Sequence, residues 1–135
     1  MRYFPVIIVG AGPAGASVAK ALSDGGIASL VVDKRELPRA KTCSGIIYGQ
    51  AQELLQKYFG ELPPEKTRCE PEIINANNVV EWLPDDTLSK YIWELPKDGH
   101  AFSEDWINVW RSKFDYWMLK KSGAQIKDKL IFDQC

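Results

Sequence analysis

Three glycines and one acid near the start of the chain have the spacing of a phosphate-binding turn. Gly10, Gly12 and Gly15 form the pattern Gly-x-Gly-x-x-Gly, and Asp33 follows. Gly10 allows a tight turn, Gly12 lets the backbone approach a pyrophosphate, and Gly15 permits close packing of a helix on a sheet. A carboxylate at Asp33 can accept hydrogen bonds from an adenosine ribose and would repel a 2'-phosphate, which disfavours NADP. The pattern predicts dinucleotide binding, and it suits NAD and FAD equally because both present the same ADP half.

The residues around these glycines indicate the elements that hold them. The apolar stretch 3–9 predicts a strand buried on both faces of a parallel sheet. Residues 13–22 have helical spacing of small and apolar side chains, the pair Gly25-Gly26 ends that helix, and residues 28–32 predict a second strand. The first 33 residues therefore predict a βαβ unit with phosphates at the helix N-terminus. In the alternative interpretation, the glycines serve only the turn and the packing.

Composition excludes several other classes of protein. The 135 residues are 45% apolar and 26% charged, as in one globular domain, and a net charge of -1 argues against a nucleic-acid partner. No apolar run reaches the ~20 residues of a membrane span, and no signal peptide is predicted. The cysteines Cys43, Cys69 and Cys135 lack Cys-x-x-Cys spacing and there is one histidine, so neither a disulfide framework nor a metal site is expected. We expect a cytoplasmic location.

Two further motifs lie near the two ends of the chain. The first has Asp33-Lys34, Pro38-Arg39, Lys41 and Cys43-Ser44-Gly45. The second has Arg111, then Phe114-Asp115-Tyr116-Trp117-Met118, then Gly123-Ala124. In this order they resemble the geranylgeranyl reductase family, flavoproteins with the p-hydroxybenzoate hydroxylase type of fold, with Met118 in place of a leucine. Residues 67–102 have no recognisable counterpart.

The resemblance implies that the cofactor is FAD and assigns its contacts. The implied FAD-binding positions are Gly10, Gly12, Ala14 and Gly15 at the pyrophosphate, Asp33 at the ribose, Lys34 beside the adenosine, the backbone of Cys43, Ser44 and Gly45 near the flavin, and Arg111 at a helix start. A guanidinium suits a diphosphate, although Arg111 could equally be a surface arginine. Cys43, beside Lys41, could have a lowered pKa and donate a proton near the flavin, which makes it the candidate catalytic residue. The alternative is an inert buried cysteine.

The middle of the chain is rich in aromatic residues. All five tryptophans lie between positions 82 and 117: Trp82, Trp93, Trp106, Trp110 and Trp117. They suit either a wall for a long apolar substrate or the core of a small antiparallel sheet. The stretch Tyr91 to Pro96 resembles a substrate motif of the family but precedes the Phe-Asp-x-Trp helix instead of following it, so we treat it as coincidence. His100 is expected to be solvated.

Together these observations predict an α/β protein with an incomplete Rossmann-like FAD-binding βαβ domain and a small aromatic-rich β segment inserted in it. We expect an FAD-binding unit with a following helix at 1–66, an aromatic insert that begins a substrate domain at 67–105, and a truncated return strand and helix at 106–135. In the last part, a helix is expected at 112–121 with Phe114, Trp117, Met118 and Lys121 on one stripe, then strands at 124–126 and 129–132.

The resemblance also implies an activity. Family members run well beyond this length, so the chain is expected to be an N-terminal portion that lacks a C-terminal half. The implied reaction is reduction of isoprenoid carbon-carbon double bonds, on a lipid substrate that could bring the protein to the membrane periphery. The alternatives are a flavin monooxygenase of the same fold and a nucleotide-binding fragment without catalysis.

Overall fold

A computed structural model describes residues 3–75, 79–82, 88–91 and 105–131. Trp93, His100, Phe102 and Cys135, and residues 92–96 of the YIWELP stretch, lie outside the described residues. In chain order the elements are β1 (Val6–Val9), α1 (Pro13–Asp24), β2 (Ser29–Val32), β3 (Ile46–Ile47), α2 (Gly49–Phe59), a 3-10 turn (Glu65–Thr67), β4 (Arg68–Asn75), β5 (Val79–Trp82), β6 (Leu88–Tyr91), β7 (Asp105–Val109), α3 (Arg111–Lys121) and β8 (Gln125–Lys127).

A parallel sheet carries the first part of the chain. Its strand order is β1-β2-β8, and Ile8, Val31 and Ile126 lie side by side across it. These three side chains pack with Ala16 and Ala19 of α1 in the main core. The expected βαβ unit is present, because β1 and β2 are parallel neighbours joined through α1.

The expectation that β1 is buried on both faces was wrong. Its burial alternates, and Ile7 and Val9 are 53% and 64% exposed. The reason is that α1 and α3 share a core with Ile8 on one side of the sheet, while no described helix packs over Ile7 and Val9 on the other. An unbroken apolar run tells which side chains favour burial, not whether a neighbour covers them.

A second sheet is antiparallel and has the order β3-β7-β4. Ile46 and Ile47 pair with Asn108 and Ile107, and Ile107 also pairs with Ile73 on the other side. Strands β5 and β6 form a separate antiparallel hairpin. Strand β7 leads directly into α3, so this sheet determines where α3 begins.

Helix α3 is buried on more than the expected stripe. Phe114, Trp117 and Met118 are buried as predicted, but Lys121 is exposed and forms an ion pair with Glu61 at 2.7 Å. Leu119 is fully buried although it lies off that stripe, because α3 also packs against α1. A prediction based on one apolar face does not identify the residues that are buried on the other side of a helix covered on two sides.

Several of the described aromatic side chains pack against one another. Trp117 lies 6.1 Å and 5.9 Å from the ring centres of Phe59 and Phe114, and Trp106 packs edge-on against Tyr48 at 5.9 Å. Phe59, Phe114 and Trp117 are buried, and the contact of Phe59 with Trp117 joins α2 to α3, whereas Tyr48 is 57% exposed.

The end of the described chain differs from expectation. Strand β8 covers Gln125–Lys127 instead of 124–126, and residues 129–131 do not form a strand. Lys129 has a φ of 57°, which bends the backbone out of the extended conformation. None of the helices in the described part of the chain combines the length and the hydropathy needed to traverse a bilayer.

Candidate functional site

The glycine turn links β1 to α1. Gly10 has a φ of 111° and its N–H donates to the carbonyl oxygen of Val32 at 2.8 Å, so it turns the chain while staying bonded to β2. A methyl group at Gly15 would lie 2.0 Å from the carbonyl oxygen of Gly10. The helix can therefore approach the turn this closely only because residue 15 has no side chain.

Gly12 is the N-cap of α1 and faces a different environment. Its backbone is extended, and within 4 Å a methyl group there would meet one atom, Nη2 of Arg39, at 3.4 Å. The first turn of α1 has no acidic residue and no side-chain cap, Pro13 has no N–H to satisfy, and Ala14 is exposed. The N-terminal N–H groups and the helix dipole of α1 can therefore receive an anion in front of Gly12, which fits a pyrophosphate.

Asp33 lies at the carboxyl end of β2 and is held by three donors. Its Oδ2 accepts from the N–H of Ala11 at 2.9 Å and from Nε of Arg39 at 3.1 Å, and its Oδ1 accepts from the N–H of Arg35 at 3.0 Å. Burial raises the pKa of Asp33, but the N–H groups of Arg35 and Ala11 and the guanidinium of Arg39 outweigh it and leave the pKa lowered. Asp33 is therefore an oriented carboxylate at neutral pH.

A broad cavity of about 930 Å³ opens beside this carboxylate. Its lining includes Gly10 and Asp33 and four cationic side chains: Lys34, Arg35, Arg39 and Lys41. One carboxylate among four cations leaves an excess of positive charge, which suits a ligand that carries a diphosphate.

Gly45 brings the second group of predicted residues together. It has a φ of 79°, and a methyl group there would lie 2.3 Å from the carbonyl oxygen of Val109. In return the N–H of Val109 donates to the carbonyl oxygen of Gly45 at 2.9 Å. This close contact of two backbones places Cys43 beside Arg111, the first residue of α3.

The Cys43 thiol is exposed and lies in an electropositive environment. The backbone N–H of Gly45 lowers its pKa, and the guanidinium of Arg111 lowers it further through a hydrogen bond and its charge. Arg111 in turn forms two hydrogen bonds with Asp115, and these raise the pKa of the guanidinium. The thiolate of Cys43 is thus stabilised by a cation that is itself fixed.

A second cavity, of about 620 Å³, lies between α1, α2 and α3. Cys43, Gly45 and Arg111 form part of its wall, and most of the remaining wall is apolar, with Leu54, Leu55, Phe59, Phe114 and Met118 among its residues. The thiol therefore faces a mainly hydrocarbon-lined space.

The ten predicted site residues fall into two groups. The first group, at the glycine turn, is Gly10, Gly12, Ala14, Gly15, Asp33 and Lys34. The second group has Cys43, Ser44 and Gly45, which directly precede β3, and Arg111, which begins α3 beside Cys43. The structure adds Arg39 and Asp115, which belong to the sequence motifs but had no assigned contact. The four-residue spacing of Arg111 and Asp115 was the available signal for their pairing on a helix. Among the described residues, no group of side chains could hold a metal ion.

The fold and the glycine turn are those of a dinucleotide-binding domain, and the first part of the chain is similar to a family that binds FAD. Residues 3–58 match the family model described as "FAD binding domain". The cofactor of this chain is therefore FAD, which resolves the choice between NAD and FAD that the glycine turn alone left open. The expected α/β fold and the expected cofactor are both confirmed.

Particular relatives extend the match along the chain. The sequence is 30% identical to Protein FixC of Azotobacter vinelandii over 128 residues, and 26% identical to Protein FixC of Rhizobium meliloti over 120 residues. The matches cover 88% and 87% of this chain, which spans 26% of the length of each relative.

Solved structures of flavin-dependent enzymes share the fold. The myxobacterial chondrochloren halogenase CndH matches 96% of this chain with a TM-score of 0.65 and 18% identity, over 30% of its own length. The p-nitrophenol 4-monooxygenase PnpA of Pseudomonas putida DLL-E4 matches 93% with a TM-score of 0.63 and 17% identity, over 32% of its length. The fold is thus that of FAD-dependent halogenases and monooxygenases.

Proposed function

We propose that this chain is the FAD-binding part of an oxidoreductase that reduces carbon-carbon double bonds of an isoprenoid chain. The observation that carries the proposal is the position of Cys43, whose exposed thiol lies beside Arg111 on the wall of an apolar cavity. A prenyl chain is a hydrocarbon, and such a cavity removes its apolar surface from water.

The residues around the glycine turn would hold the ADP half of the cofactor. Gly12 and the first turn of α1 would receive the pyrophosphate, and Asp33 would accept hydrogen bonds from the ribose. Lys34, which is exposed and lines the cavity beside Asp33, would lie beside the adenosine. Bound FAD, once reduced, supplies a hydride for the double bond.

Reduction of a double bond adds a hydride to one carbon and a proton to the other, and Cys43 would supply that proton. Its lowered pKa brings the thiol closer to the operating pH, where a general acid is most effective. Proton transfer leaves a thiolate that Arg111 stabilises, and solvent restores the proton because Cys43 is exposed. Ser44 and Gly45 would approach the flavin through their backbone.

This activity is proposed for the polypeptide in which the described part works with a C-terminal half. We propose the same division as the sequence suggested, with FAD binding in 1–66, the start of a substrate domain in 67–105 and a return to the FAD domain in 106–135. An isoprenoid lipid substrate would bring the protein to the cytoplasmic periphery of a membrane.

The test uses flavin absorbance under anaerobic conditions. The polypeptide that includes the C-terminal half is loaded with FAD, reduced with dithionite, and mixed with geranylgeraniol or with its fully saturated analogue. We expect the unsaturated alcohol to restore oxidised flavin and to gain two hydrogens per double bond, and the saturated analogue to do neither. FAD that is bound and reduced but is not reoxidised by geranylgeraniol would contradict the proposal.

A flavin monooxygenase is the second candidate, favoured by the structural likeness to p-nitrophenol 4-monooxygenase. In this case O2 and a phenol, not the prenyl alcohol, would reoxidise the reduced flavin, with hydroxylated product. If bound flavin responds to neither substrate, the remaining candidate is a nucleotide-binding module without catalysis.

A further inference from the structure

Arg39 bridges two parts of the nucleotide site that the sequence treats separately. From the loop after β2, its Nε donates to Oδ2 of Asp33 at 3.1 Å. Its Nη2 lies 3.4 Å from the position that a methyl group on Gly12 would occupy. One planar guanidinium therefore spans from the acid predicted to bind the ribose to the glycine predicted to face the pyrophosphate.

The burial of Arg39 requires more than one partner. Its side chain is 13% exposed, and within the described residues its ion-pair partner is Asp33. A guanidinium carries five N–H donors in one plane, and Oδ2 of Asp33 takes one of them while also accepting from Ala11. One terminal nitrogen, Nη2, lies beside Gly12, where an anion would complete its hydrogen bonding.

The surrounding charge supports an anionic ligand at this point. Lys34, Arg35 and Lys41 line the cavity of about 930 Å³ beside Asp33, together with Arg39. The single negative charge of Asp33 therefore does not neutralise the positive charge of this cavity. The first turn of α1, which has Gly12 as its N-cap, contributes N–H groups and a positive dipole end. A phosphate in front of Gly12 would therefore lie between the helix N-terminus and the Arg39 guanidinium.

We propose that Arg39 is a cofactor-binding residue, whose terminal nitrogens donate to the pyrophosphate of FAD while its Nε holds Asp33 in place for the ribose. This assignment rests on the FAD site itself and does not depend on the substrate. It differs from a purely positioning residue, which would act on the cofactor only through Asp33.

Binding of ADP and adenosine separates the two possibilities, because adenosine has the ribose but no phosphate. Calorimetry would compare the wild-type chain with Arg39→Gln, Arg39→Lys and the control Lys57→Gln. We expect Arg39→Gln to weaken ADP and FAD by about tenfold or more and adenosine by less than about threefold. Arg39→Lys, which keeps the charge but loses the planar fork, should lie between. Lys57→Gln removes one positive charge and should change ADP binding by less than about threefold, because the Lys57 side chain is exposed on α2 and lines neither cavity.

Each other outcome has a definite meaning. An equal loss for ADP and adenosine would reduce Arg39 to a positioning residue, and no loss for either would overturn the proposal. Thermal unfolding of each variant shows whether it is folded, and Arg39→Lys provides the comparison if Arg39→Gln is not. A folded wild-type chain that binds neither ADP nor FAD would instead overturn the nucleotide site as a whole.

Discussion

Arg111 and Asp115 form a two-point ion pair on the first turns of α3. Nε donates to Oδ1 at 2.7 Å and Nη2 donates to Oδ2 at 3.0 Å, with the two side chains 14% and 4% exposed. Because two nitrogens are bound to one carboxylate, the plane of the guanidinium is fixed. Asp115 therefore determines how Arg111 faces the thiol of Cys43.

The first prediction concerns the reactivity of this thiol. Asp115→Asn should raise the pKa of Cys43 toward its ordinary value of 9.0, because Arg111 loses its fixed orientation. The measurement is the rate of iodoacetamide alkylation against pH, in a chain whose Cys69 and Cys135 are replaced by serine. The midpoint of the profile should move to higher pH.

A matched control for this experiment lies on α1. Asp24 forms an i,i+4 ion pair with Lys20, and both residues line the apolar cavity that Cys43 also lines. Asp24→Asn should leave the alkylation profile of Cys43 unchanged. If both variants shift the midpoint equally, general charge and not the orientation of Arg111 governs the thiol.

The second prediction separates binding from folding at the glycine turn. Gly15→Ala places a methyl group against the carbonyl oxygen of Gly10, so the free energy of unfolding should fall by about 3 kcal/mol or more. Gly12→Ala makes an ordinary van der Waals contact with Nη2 of Arg39 at 3.4 Å and should change the free energy of unfolding by less than about 1 kcal/mol. Urea denaturation measures both.

The same two variants differ in what they reveal about FAD. Gly12→Ala should weaken FAD binding by about tenfold or more despite its intact stability, because the methyl group occupies the approach of the pyrophosphate. Flavin fluorescence titration measures this loss. Unchanged FAD affinity in Gly12→Ala would mean that the pyrophosphate lies elsewhere.

The third prediction compares two glycines with nearly equal positive φ. Gly45 and Gly60 have φ values of 79° and 77°, so alanine at either position costs about 1–2 kcal/mol in backbone strain. At Gly45 the methyl group also meets the carbonyl oxygen of Val109, whereas at Gly60 nothing lies within 4 Å. Gly45→Ala should therefore destabilise the protein by at least about 2 kcal/mol more than Gly60→Ala. Equal losses by urea denaturation would show that β3 and β7 can separate without cost.

The fourth prediction concerns pH. The pKa of Asp33 in the folded protein is lowered from 3.8, the value expected in the unfolded chain. The stability that this carboxylate contributes is therefore fully present above about pH 3.8. It is lost as the pH falls through the lowered pKa of the folded state. The difference in unfolding free energy between wild type and Asp33→Asn should be constant above that range and shrink below it. A difference that stays constant down to pH 2 would contradict the role of the charge.

The local elements could be predicted well from the sequence. Gly10 has a positive φ and Gly15 allows close packing, as the glycine pattern predicts. Helix α1 ends at Gly25, two residues later than expected. The βαβ unit could be predicted because each of these signals comes from residues close together in the sequence. The cofactor followed from resemblance, since the turn alone suits two dinucleotides.

The tertiary relationships could not be predicted in the same way. The proximity of Cys43 and Arg111 depends on the backbone contact between Gly45 and Val109, which joins distant parts of the chain. The contact of Arg39 with Asp33 depends on a loop conformation that no periodic pattern encodes. Exposure of Ile7 and Val9 depends on what covers a sheet face, which lies outside the strand itself.

The attachment of Asp33 to the end of the described chain has a consequence for synthesis on the ribosome. The N–H of Asp33 donates to the carbonyl oxygen of Lys127, and its own carbonyl oxygen accepts from the N–H of Leu130. The glycine turn emerges early, but these late residues complete the support of the acid beside it. The nascent chain therefore exposes an unfinished nucleotide site until β8 has been translated, and cofactor capture is expected only after that point.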